Sequence, residues 1–141
     1  MEFRGFVDSL KFKSSNGPKN ALEAIALALK SDWTTEGDKR RHIVFVFTNS
    51  PTLPLGVRIS CPSYPHGMPA DLKQLGEWWE GIDQSFSGTY HAVAGRLIAF
   101  VPKAEPWISL QAWNRYWPVY FNAETGWKEL EVWQALEIFE L

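Results

Sequence analysis

A single cysteine, Cys61, occurs in this chain of 141 residues. No disulfide can therefore close within it, and no cysteine cluster exists to hold structural zinc. No apolar run reaches the roughly 20 residues that a membrane-spanning helix needs, and Met1-Glu2-Phe3-Arg4 does not open a signal-peptide core. These shortages predict a soluble, cytoplasmic protein with no membrane role. Charge of one sign is also lacking, since 14 Lys and Arg face 16 Asp and Glu for a net charge of −2. A nucleic-acid partner is excluded on that ground, because it requires concentrated cations. Ser15-Asn16-Gly17-Pro18 is a turn and lacks the glycines and lysine of a phosphate-cradling loop. His42 and His91 show no His-x-x-x-His spacing, so they predict structural or exposed roles.

Tryptophan, by contrast, is plentiful. Seven of the eight (Trp78, Trp79, Trp107, Trp113, Trp117, Trp127, Trp133) lie in the second half. The mass of 16.1 kDa suits one domain spanning residues 1–141, with no repeat or linker to divide it.

Phe3, Phe6, Val7 and Leu10 share one face of a short helix. After a polar turn, Asn20 suits a helix N-cap with Glu23 reaching back in capping-box fashion. Ala21 to Leu29 is apolar almost all round, which predicts a core helix enclosed by other elements. His42 to Thr48 is an apolar run without alternation, the mark of a strand covered on both faces in a parallel sheet. Leu97 to Val101 and Val119 to Phe121 repeat it more briefly. Between them, Pro69 to Glu80 carries Leu72, Leu75, Trp78 and Trp79 at helical spacing with Gly81 as a stop, and Glu129 to Leu141 has a similar rhythm. Strand alternating with helix predicts an α/β fold, an open and mostly parallel sheet flanked by helices in Rossmann-like fashion. The stretch from Ser50 to Met68, with Pro51, Pro54, Pro62 and Pro65, is a long loop directly after the first strand, where ligands of open α/β sheets bind.

Thr48-Asn49-Ser50 ends that strand. With Ser14, Ser15 and Asn16, which precede the core helix, it predicts a ligand-binding rim of hydroxyls and amides: Ser14, Ser15, Asn16, Asn49 and Ser50. Turn formation alone also accounts for these residue types.

The blocks Asn20-Ala21-Leu22-Glu23-Ala24, Lys39 to Pro51, Gly67-Met68-Pro69-Ala70-Asp71-Leu72 and Arg96 to Pro102 resemble the latter part of a von Willebrand factor A domain. The bacterial cytosolic branch is the nearer likeness. The resemblance implies a doubly wound sheet and metal-assisted protein binding with no reaction catalysed. It also implies a metal-ion-dependent adhesion site, with Mg²⁺ held by an Asp-x-Ser-x-Ser loop, a Thr and a further Asp. That further Asp falls on Asn49, the second loop on Ser14 to Gly17 without a clear Thr, and the first loop has no counterpart. A neutral amide keeps an oxygen but removes the carboxylate charge that holds a hard cation. The expectation is thus no cofactor and a degenerate site, with Mg²⁺ bound only if another segment supplies the missing loop. The family's missing central strand would also leave His42 to Thr48 at an apolar edge, which predicts homo-oligomerisation or a longer parent domain.

Two other readings compete with a protein-interaction module. Ser50, or Cys61 with the nearby His66, would be the nucleophile of a small hydrolase, although spacing supplies no contact geometry. A tryptophan-lined glycan groove is the other. Trp78, Trp79 and Trp133 sit at helical spacing among apolar neighbours and read as core. Trp107, Trp113, Trp117 and Trp127 fall in irregular segments and are the candidates for a surface patch.

Overall fold

A computed structural model describes residues 19–121. The expected helices at Phe3 to Leu10 and Glu129 to Leu141, Ser14 to Asn16, Trp127 and Trp133 lie outside the described residues. Helix α1 spans Ala21–Leu29, strand β1 His42–Phe47, helix α2 Leu72–Glu80, strand β2 Gly95–Pro102 and strand β3 Tyr116–Phe121. The described strands form one open sheet in the order β1-β2-β3, parallel throughout. His42 stands opposite Gly95 and Leu97 opposite Tyr116. The α/β class and the parallel sheet are as the apolar runs predict.

Both helices share one core with the same sheet face. Leu22, Ile25 and Leu29 of α1 and Leu75, Trp78 and Trp79 of α2 cluster with Val44, Leu97, Ala99 and Val101. The other face carries a second cluster in which buried Ile98 and Phe100 pack with Ile43, Phe45, Trp117 and Val119. Apolar side chains on both faces explain why β1 and β2 show no hydrophobic alternation.

Four local expectations are corrected. Asn20 precedes α1 but makes no side-chain cap. The amide of Leu22 instead donates to Thr52 Oγ1 at 3.4 Å, and Glu23 turns to Arg58. Helix α1 is also not enclosed all round, since Ala24 and Leu27 are exposed while Leu22, Ile25, Ala26 and Leu29 are buried. Helix α2 begins at Leu72 rather than Pro69, because Asp71 Oδ1 accepts the Gln74 amide at 2.8 Å as a true N-cap. It stops at Gly81, whose φ of 74° suits a residue without Cβ. Finally, Trp107 is fully buried, not part of a surface patch. Tyr116 and Tyr120 both donate to its carbonyl, at 3.0 and 3.2 Å.

Candidate functional site

The rim forms where β1 leaves the sheet. The Thr48 amide still donates to Phe100 O at 3.1 Å, so Thr48 is the last residue held by the ladder. Its hydroxyl accepts the Ser50 amide at 3.2 Å, which folds the next two residues into a tight polar turn. Asn49 is exposed there, and its Oδ1 accepts the Ser50 hydroxyl at 3.1 Å. Asn49 and Ser50 therefore sit in one turn at the end of β1. Ser14, Ser15 and Asn16 lie outside the described residues, but Lys19, which follows them, is joined to the same rim. Its amide donates to Pro51 O at 3.0 Å, and its carbonyl accepts from Leu53 N at 2.8 Å and from Thr52 Oγ1 at 2.8 Å.

The loop beyond the rim is neither helix nor strand, but it is closely tied down. Successive turns close as the amides of Ile59, Cys61 and Tyr64 donate to the carbonyls of Gly56, Arg58 and Cys61. Arg58 donates to Glu23 Oε1 at 3.0 Å and to Ser63 Oγ at 2.8 Å. Farther on, Lys30 Nζ donates to the carbonyls of His66 and Gly67, at 2.7 and 3.4 Å. One tether comes from α1 and the other from Lys30, the residue that follows it. Val57 and Ile59, on either side of the anchored Arg58, are 60% and 74% exposed. Such aliphatics on a fixed loop are a surface that hydrophobic association can use without an ordering penalty.

Residue order alone did not single out this group. One signal was present: Glu23 is the lone charge in the apolar run from Ala21 to Leu29, and a carboxylate on a buried face requires a partner. The partner's position, 35 residues away, is a property of the fold.

The hydrolase candidates have no catalytic arrangement among the described residues. Ser50 Oγ faces Asn49 rather than a histidine. Cys61 is exposed, and no hydrogen bond joins its thiol to His66. His42 and His91 do meet, though not as metal ligands. The His91 amide donates to His42 Nδ1 at 3.2 Å, which leaves Nε2 carrying the proton toward Thr34 O at 3.1 Å. His42 is fully buried and stacks on Trp33 with ring centroids 5.0 Å apart, so its role is structural.

Among the described residues β1 ends the strand order, with β2 beside it. No described helix is long and apolar enough to cross a membrane. No family model matches the chain, and neither the curated proteins nor the solved structures contain a match.

Proposed function

We propose that this chain is a non-enzymatic, cytoplasmic protein-interaction module that engages its partner through the rim at Asn49 and Ser50 and the adjoining loop. The observation that carries the reading is the pair Val57 and Ile59, held exposed by a loop whose Arg58 is anchored on Glu23. A loop needing only turns and disorder would not need a partly buried ion pair to fix it. The parallel order β1-β2-β3 fits the second half of a doubly wound sheet, in keeping with the resemblance to a von Willebrand factor A domain. In that likeness the rim is a degenerate adhesion site, with Asn49 where the family's Asp stands. The burial of Trp78, Trp79 and Trp107 favours this reading over a glycan groove, which needs indole faces open to solvent.

A photoreactive residue placed singly at Asn49, Ile59 or Leu27 tests the proposal in cells. Crosslinks to one common protein from the first two positions, lost on Ile59→Asp and absent from the third, support it. Turnover of ester or amide probes that disappears in Ser50→Ala or Cys61→Ala would establish the hydrolase instead.

A further inference from the structure

At the opposite end of the strands from the rim, the carboxyl end of α2 and the short turn Ala92–Ala94 border a half-open cavity of about 260 Å³. Trp78, Phe86 and Tyr90 line it together with Ala92 and Val93. We propose that it is a binding site for a small uncharged aromatic molecule of one or two fused rings bearing a single hydrogen-bonding group.

Size sets the first limit. A dry cavity of about 150 Å³ admits benzene, and sites for drug-sized ligands start near 300 Å³. An indole-sized molecule fits between these. The walls supply matching chemistry, for Trp78 and Phe86 stack at 4.5 Å and Phe86 meets Tyr90 at 6.5 Å in a tilted pair. An aromatic guest extends such an array edge-to-face or by offset stacking.

The walls are also fixed before any ligand arrives. Tyr90 donates its hydroxyl hydrogen to Trp79 O at 3.0 Å, and the next residue is held by the His91 amide on His42. Gln84 Nε2 donates to Gly81 O at 3.0 Å, closing the turn after α2. Rigid walls remove most of the ordering penalty that a fragment-sized ligand could not offset.

Charge sets the second limit. Glu80 is the carboxylate lining the cavity, and both of its oxygens are engaged. Oε1 accepts the Asn114 amide at 2.7 Å, and Oε2 accepts Asn114 Nδ2 at 3.2 Å and Arg115 at 3.2 Å. Glu80 thus offers no uncommitted charge to a cation, and no described Lys or Arg lines the cavity for an anion. The His91 imidazole and Gln84 Oε1, which hydrogen-bond to no other described residue, remain at the mouth as the polar handle for one substituent. Val93, 72% exposed, extends the apolar surface at its mouth. The turn after α2 lies close against Ala92, whose Cβ would stand 2.9 Å from a Cβ built at Gly81.

Titration of the full chain with indole, followed by heteronuclear NMR, tests the site. Saturable shifts at His91, Ala92 and Val93 with a Kd of about 1 mM or lower are expected for a ligand of this size. Ala92→Phe, which fills the cavity, should weaken binding by about tenfold or more at an unchanged melting temperature. Phe86→Ala provides a second variant with the same expected loss, and phenol should compete with indole for the same shifts. Absence of saturation, or equal binding by Ala92→Phe and Phe86→Ala, overturns the proposal. So does equally tight binding of phenylacetate or phenethylamine, since the argument requires an uncharged guest. N-acetyltryptophanamide binding about tenfold more tightly than indole also overturns it, because the occupant is then a partner's side chain.

Discussion

Arg58 Nη1 lies 3.0 Å from Glu23 Oε1, joining the middle of a proline-rich loop to the first helix. The two side chains are unequally buried, at 9% exposure for Glu23 and 22% for Arg58. Removing the arginine strands a nearly dry carboxylate, whereas removing the glutamate leaves a guanidinium that can turn to water.

Arg58→Ala should therefore destabilise the fold more than Glu23→Ala, by about 2–4 against about 1–2 kcal/mol. Urea unfolding of both single variants and the double variant checks this. The double variant should fall short of the sum by about 1 kcal/mol or more. Additive losses would mean that the pair is not coupled. Hydrogen exchange should quicken at Ile59 and Cys61, whose amides close the turns around Arg58.

Gly95→Ala should destabilise by about 1–3 kcal/mol, as overpacked cores do. A Cβ there would collide with the Tyr90 hydroxyl and stand 3.1 Å from Trp79 Cη2. Gly95 also opens β2 opposite His42, so nearby backbone cannot easily yield. Thermal melting measures the loss. Gly37→Ala, whose Cβ would meet nothing within 4 Å, is the comparison for backbone strain alone, since its φ is 89°.

Alkaline pH should weaken the fold through two tyrosines. Burial pushes the Tyr116 and Tyr90 phenols up from the usual value, with neighbouring Tyr120 adding to the effect at Tyr116. A raised folded-state pKa leaves the stability whole below the unfolded value of about 10 and removes it as pH climbs past that point. The urea midpoint should hold level between about pH 7 and 9 and then decline. Tyr116→Phe should start lower, having lost the bond to Trp107 O, but decline less steeply. Parallel declines in the two proteins would refute the assignment.

The rim should not bind divalent cations tightly. Asn49 and Ser50 offer neutral oxygens already bonded to each other, and hard cations are held chiefly by carboxylate charge. Calorimetry with Mg²⁺ and Mn²⁺ should give no saturable heat below about 1 mM. Submillimolar binding that vanishes in Asn49→Ala would show a working metal site at this position.

Much of the fold is written in local patterns. The apolar run from His42 and the shorter run from Leu97 each became a parallel strand, and Gly81 ended α2 as its type predicts. Periodicity reports only which side of an element is buried, so whatever depends on distant neighbours was hidden. Asn20 lost its capping role because Thr52 reaches Leu22 from another segment. Trp107 looked irregular and therefore exposed, yet Tyr116 and Tyr120 close over its backbone. At the candidate site the same division holds. That Asn49 and Ser50 follow a strand could be read from the apolar run before them, while the fixing of Val57 and Ile59 depends on the contact between Arg58 and Glu23.

The two parallel ladders close over very different stretches of chain. Leu97 meets Tyr116 after fewer than twenty positions, whereas His42 meets Gly95 only after more than fifty. Closing the longer loop loses more chain entropy before any pairing is gained, and non-local pairings slow folding. The expected order of assembly is β2 with β3 first and β1 last. Because the rim hangs from the end of β1, the polar turn at Asn49 is set only in the final step, and a chain stalled before it would present helices and aromatic core but no ordered turn at Asn49.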